Sequence, residues 1–159
     1  MFALVNILLV SIALVSAQAP VTVPLTFDTT YDIAAQSLAT VSCSNGPNGL
    51  LTKGFTTFGS LPNFPNISGS SVVAGFNSAN CGTCWTLRFQ NNSTNVLVID
   101  HAANGFNIAR SANDALTGGA GVFFGTVQVT AVQVNATNCG LPAWVVEKRV
   151  TRRGGKFQN

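Results

Sequence analysis

The chain has 159 residues, of which 8% are charged, and a formal net charge of +3. That length suits one domain with a sizeable core, while the charge content, against roughly 25% in ordinary globular proteins, demands a surface of Ser, Thr, Asn and Gly. Up to Leu141 the bases Lys53, Arg88 and Arg110 face the acids Asp28, Asp32, Asp100 and Asp114, so the positive charge resides after Leu141 and the body lacks the basic face that nucleic acid requires.

The N-terminus is an uncharged apolar run, Phe2 to Val15, followed by the small-residue site Val15-Ser16-Ala17. This pattern predicts a signal peptide over residues 1–17, cleaved after Ala17. The run is shorter than the roughly 20 apolar residues of a membrane span, and no later segment reads as one. The expected product is a secreted, extracellular protein with no integral membrane segment.

Next along the chain, Val21–Phe27 alternates apolar and polar at its start and contains Pro24, which predicts an edge strand. The four cysteines are Cys43, Cys81, Cys84 and Cys139. In an oxidising compartment they make two bridges, and three connectivities are open. Cys81-Gly82-Thr83-Cys84 also has the spacing of a redox dithiol or of half a zinc site. The dithiol lacks a βαβ context, and zinc lacks a second ligand pair, so each cysteine is expected to bridge a distant partner. No metal or cofactor is expected.

Turn-rich loops follow at Ser44–Gly49 and Leu61–Asn66. Trp85–Phe89 alternates as a strand, and Asn95–Asp100 is a continuous run expected to be buried on both faces. Phe106–Leu116 places apolar residues at helical spacing, and Thr117-Gly118-Gly119 ends it. Val122–Val134 reads as the longest strand. Its apolar phase shifts between Ala131 and Val132, which predicts a bulge there. The pattern is mainly β, a closed or partly closed barrel with short helices. Sequons beginning at Asn66, Asn91, Asn92 and Asn135 are candidate glycosylation sites in loop-like surroundings.

Groups for chemistry are few. Glycoside hydrolysis uses two carboxylates flanking the bond. Asp28 and Asp32 sit near a strand end, and Asp114 lies in the expected helix. Asp100 ends an apolar strand, where a carboxylate must be hydrogen-bonded or exposed in a cleft; capping a turn suits it equally. His101 is either a general base or a structural hydrogen-bonding residue. No GxSxG elbow, phosphate loop or metal motif occurs.

More specific are Tyr31-Asp32 with Ser37-Leu38, VSCSNG at 41–46, NGLLTKG at 48–54, GSLPNFPNI at 59–67, GFNSANCGTCW at 75–85, IDHAANGFNI at 99–108, ALTGG at 115–119 and NCGL at 138–141. In this order and density the segments resemble the cerato-platanins, small secreted fungal proteins, over about residues 25–141. The resemblance implies one domain at 18–141, a six-stranded double-psi β-barrel similar to the first domain of expansins, with bridges Cys43–Cys81 and Cys84–Cys139. It implies a wall-associated protein that binds chitin or N-acetylglucosamine oligomers without hydrolysing them, and so is not an enzyme. Family members elicit plant defence, some loosen cellulose, and some are allergens. The implied partners are wall polysaccharide, chitin oligomers and plant cell-surface components.

The family's groove includes the aspartate that is Asp100 here. A glycan site would combine Asp100, Tyr31, Asp32 and Asn77. Tyr31 would supply an aromatic plane and a hydroxyl, the two aspartates would accept from sugar hydroxyls, and Asn77 would donate or accept. Expansin-like loosening and surface-active self-assembly are the competing readings. Four features depart from the family pattern. Phe76 stands for a Trp, Asn45-Gly46 for Asp-Gly and Asn113 for a Met, and a basic stretch follows Leu141. That tail, 142–159, is expected to be disordered, either a basic arm for acidic polysaccharide or membrane, or translated intron.

Overall fold

The structure, a computed structural model, describes residues 18–142. The expected signal peptide and, beyond Pro142, the expected basic tail lie outside the described residues. Six strands, β1 (Val21–Asp28), β2 (Ile67–Ser70), β3 (Cys84–Phe89), β4 (Asn92–His101), β5 (Phe106–Ala109) and β6 (Val127–Val134), close into a barrel in the order β1-β5-β2-β4-β3-β6. β1 is parallel to β5 and β2 to β4, and the other neighbours are antiparallel. Two parallel crossover pairs interlocked in one six-stranded ring make the double-psi arrangement.

β4 behaves as its composition demands. Val96, Leu97, Val98 and Ile99 are all fully buried. One face fills the barrel, and loop segments lie along the strand: the Cys43 amide donates to the Ile99 carbonyl at 3.1 Å and the Gly82 amide to that of Val98 at 2.8 Å. Across the interior, Trp85 and Phe106 meet with ring centroids 5.5 Å apart. The bridges are Cys43–Cys81 and Cys84–Cys139, so the two halves of the CxxC part to different partners.

Several elements differ from the sequence reading. β1 is not an edge strand, because β5 and β6 flank it. Pro24 is tolerated there since pairing with β5 begins only at Leu25, which leaves one side of Pro24 without a rung to lose. The long strand expected from Val122 divides. Ala120–Phe124 is a short helix (α2), and Gly125, at φ 73°, ends it before β6. No bulge occurs near Ala131: β6 keeps continuous register with β1 and β3. Val132 and Val134 lie on the face opposite the fully buried Val129 and Ala131 and are only partly buried, so the shift in phase marks a second partly covered face. The register irregularity falls instead between Ser68 and Gly69 of β2. The longest strand is β4, at 10 residues.

The helical spacing from Phe106 also divides. Phe106–Ala109 pairs with β1 and β2 as β5, and only Arg110–Thr117 is helical (α1). Gly118, at φ 62°, closes α1 by donating its amide to the Asp114 carbonyl at 2.9 Å. Asn113 is fully buried in α1. Its Oδ1 accepts from the Thr117 hydroxyl at 3.3 Å, while Nδ2 has no acceptor.

Candidate functional site

Asp28 at the end of β1 accepts the Thr30 amide at 2.8 Å and so starts the 3₁₀ turn Thr29–Asp32. This turn delivers Tyr31 to the barrel wall. The Tyr31 ring is buried and packs on Phe58, with centroids 5.9 Å apart. Its hydroxyl donates to Asp100 Oδ2 at 3.3 Å. The other carboxylate oxygen of Asp100 accepts the Ser42 amide at 2.8 Å and the His101 amide at 2.7 Å. Asp100 is itself half-buried near the end of β4. Gly69 of β2, its register partner, makes the room: a Cβ there would lie 2.9 Å from the Tyr31 hydroxyl and 3.0 Å from the His101 carbonyl oxygen. A half-buried carboxylate held by two backbone amides and a phenol is a fixed acceptor, because turning it breaks charge-assisted bonds.

Burial first, then the negative charge of Asp100 and the hydrogen bond to it, and last Asp28, push the Tyr31 phenol well above the ordinary tyrosine range. An unfolded tyrosine ionises near pH 10. Below that pH both states keep the proton and the stabilisation is fully present. Above it the unfolded chain loses a proton that the fold retains, so stability falls as pH rises towards the folded value, by up to about 1.4 kcal/mol per pH unit. Tyr31 is the chain's single tyrosine. Its phenolate absorbance in the native protein should therefore appear only well above pH 10, and Tyr31→Phe should lack this alkaline loss in denaturation curves taken across pH.

The other two candidates make bonds of their own. Asp32 Oδ2 accepts the Arg110 amide at 2.9 Å, and Oδ1 accepts the Ser111 amide at 3.2 Å and the Ser111 hydroxyl. It caps the N-terminus of α1 from across the fold, where Ala109 provides no side-chain cap. Asp32→Ala is expected to cost about 1–2 kcal/mol, the worth of a lost helix cap, readable as a lower urea midpoint. Asn77, at φ 57°, accepts the Asn48 amide on Oδ1 at 2.9 Å and the Asn48 side-chain amide on its carbonyl at 2.9 Å. Its own amide donates to the Ser42 carbonyl at 3.1 Å. Asn77 therefore reaches Asp100 through Ser42, and only Tyr31 and Asp100 touch directly. As the Tyr31 ring lies in the core, it offers its hydroxyl and no stacking plane.

The residues not singled out for the site are Ser42 and Gly69, which act through a backbone amide and an absent Cβ. Phe76, beside Asn77, is 68% exposed. The ring of His101 bonds the Val73 carbonyl through Nδ1. A carbonyl only accepts, so Nδ1 carries a proton in this contact.

Of the sequons, Asn91, Asn92 and Asn135 are exposed and Asn66 is half-buried. The serine of the Asn66 sequon, Ser68, is fully buried within β2. Among the described residues no cluster of three His, Cys, Asp or Glu suits a metal, and no helix is long and apolar enough to cross a membrane.

The cerato-platanin family model matches residues 23–141. A 124-residue stretch is 51% identical to the "Allergen Asp f 15 homolog" of Arthroderma benhamiae and covers 77% of this chain; the chain spans only 60% of that relative's length. The crystal structure of cerato-platanin 2 from M. perniciosa superimposes with a TM-score of 0.72 at 51% identity, over 76% of this chain and 99% of that one. The solution structure of the fungal elicitor cerato-platanin gives a TM-score of 0.66 at 37% identity, over 73% and 95% of the two chains. Motifs, barrel and bridges agree with these likenesses, and the chain belongs to the cerato-platanin family.

Proposed function

We propose that this protein is secreted, associates with cell walls, and binds chitin or N-acetylglucosamine oligomers at the barrel rim around Asp100 without cutting them. The observation that carries the reading is the fixed carboxylate of Asp100, held by Tyr31, Ser42 and His101 at the mouth of the barrel. Such an acceptor is pre-organised for sugar hydroxyls, since little ordering remains to be done on binding. Phe76 adds an open aromatic face. It adjoins Asn77, which is bonded to Ser42 and through it to Asp100. Apolar sugar faces stack on such rings. Binding without hydrolysis is favoured because, among the described residues, Asp28 and Asp32 are engaged in capping and Asp114 pairs with Arg110 at 3.8 Å, which leaves Asp100 without an uncommitted second carboxylate there. Elicitation of plant defence and wall remodelling are the roles this binding would serve.

Calorimetric titration of the secreted protein with chitin oligomers tests this. Saturable binding is expected. Phe76→Ala should weaken it about fivefold or more, and Phe76→Trp should strengthen it a few-fold, within the ~0.5–1.5 kcal/mol of an aromatic contact. Absence of saturable heat from the disulfide-bonded protein would sink the proposal. Surface activity is the second reading, favoured by one observation: Phe123 and Phe124 of α2 are 82% and 69% exposed, with ring centroids 4.9 Å apart. Expansin-like loosening would use the same rim as glycan binding.

A further inference from the structure

Asn-Gly occurs three times, at 45–46, 48–49 and 104–105, and the fold holds the three pairs differently. Asn45 is exposed, and the Gly46 amide points at Asn45 Oδ1 from 2.9 Å. That hydrogen bond keeps the Gly46 nitrogen beside the Asn45 side-chain carbonyl. Among the described residues nothing bonds Asn45 Nδ2. The fold itself demands glycine at 46: its φ is +81°, and a Cβ would lie 2.8 Å from Asn77 Cγ. The residue after Asn45 is therefore the least hindered nucleophile a chain can offer.

The other two pairs are restrained. The Asn48 side-chain amide donates to the Asn77 carbonyl at 2.9 Å, and the Gly49 amide donates to the Gly46 carbonyl at 3.0 Å. Gly49 is buried, and a Cβ there would lie 2.3 Å from the Asn45 carbonyl oxygen. Gly105 is wedged against β1, where a Cβ would lie 2.0 Å from the Pro24 carbonyl oxygen. The Gly105 carbonyl is held by the Ser71 amide at 3.0 Å and the Ser70 hydroxyl at 3.2 Å. Ring closure at either place requires backbone rotation that this packing resists.

We propose that Asn45-Gly46 is a site of spontaneous deamidation in the native protein. The Gly46 nitrogen bonds to Asn45 Cγ as the Cγ–Nδ2 bond breaks. The Gly46 amide proton leaves with that nitrogen as ammonia, and a succinimide remains. Water then opens the ring at either carbonyl, giving aspartate or isoaspartate. Either product adds a negative charge two residues after Cys43, in the loop that carries Ser42 to Asp100. Isoaspartate also lengthens the main chain by one atom between Cys43 and the Asn48–Asn77 clamp.

The test is ageing of the native protein in mildly alkaline buffer, followed by peptide mapping for the gain of one mass unit and by isoaspartyl methyltransferase labelling. A reduced, alkylated and denatured sample is run in parallel. In the native sample Asn45 should convert at least ~10-fold faster than Asn48 or Asn104, whose packing holds them away from ring closure, and the three rates should converge in the denatured chain. Asn45→Gln should remove the fast ammonia release, since its ring closure is slower. Equal native rates at the three pairs, or slower conversion of Asn45 in the native protein than in the denatured one, overturn the proposal.

Discussion

Asp100→Ala should abolish saturable binding of chitin oligomers and lower unfolding free energy by about 2–4 kcal/mol. The substitution leaves the Tyr31 hydroxyl, the Ser42 amide and the His101 amide without their common acceptor. The Tyr31 hydroxyl is the costly orphan, because its ring is buried and water reaches it poorly. The two amides lie at a half-exposed rim, where water replaces part of the loss. Asp100→Asn separates the two effects: it keeps an oxygen for the amides and a polar partner for the phenol, while removing the charge. Stability of Asp100→Asn should stay within about 1–2 kcal/mol of the parent, with binding still strongly reduced. Denaturant titration beside calorimetry reads both quantities. Undiminished binding in Asp100→Ala would place the glycan elsewhere on the molecule.

Replacing Cys84 and Cys139 together by alanine should cost about 4 kcal/mol, the chain-entropy value for closing a loop of this order. The bridge joins residues 55 apart and ties the start of β3 to the 3₁₀ turn Ala136–Cys139 after β6. A small domain's stability is about 5–15 kcal/mol, so this variant should melt far below the parent. Loss of Cys43–Cys81, whose residues are 38 apart, should cost about 3–4 kcal/mol on the same scale. It should also reduce binding, since Cys43 follows the Ser42 amide that holds Asp100. A scanning calorimetry comparison ranks the two. If the Cys84/Cys139 variant melts within a few degrees of the parent, the barrel does not depend on that staple.

The sequence displays the strands whose pattern is local. β3 and β4 stand out because alternation and a continuous apolar run survive without reference to neighbours. β2 does not: Ile67-Ser68-Gly69-Ser70 has no apolar alternation and becomes a strand only because β4 and β5 pair with it on either side. β5 is concealed because Phe106 and Ile108 fall in helical phase with α1, and tertiary pairing overrides that local period. At Val122–Phe124, β-prone residues enter a helix because glycines at 118, 119 and 125 with positive φ fold the chain there. The site is similarly divided. Asp100 is visible as a carboxylate ending an apolar strand, whereas two of its three donors lie 58 and 69 positions away. Asp32 reads as a polar groove residue until the fold brings α1 to it from 78 positions on. A backbone amide leaves no trace in residue type, and a glycine does not tell which neighbours it makes room for.

Closure of the barrel has a consequence for behaviour at high protein concentration. Each of the six strands has a neighbour on both sides, so among the described residues no barrel strand offers a row of open amides and carbonyls to template another chain's strand. Native copies that gather at a surface must therefore meet through side chains such as Phe123 and Phe124, and such contacts dissolve on dilution or with mild detergent. Persistent cross-β deposits would require the ring to open first, and the bridge between Cys84 at the head of β3 and Cys139 beyond β6 restrains that opening.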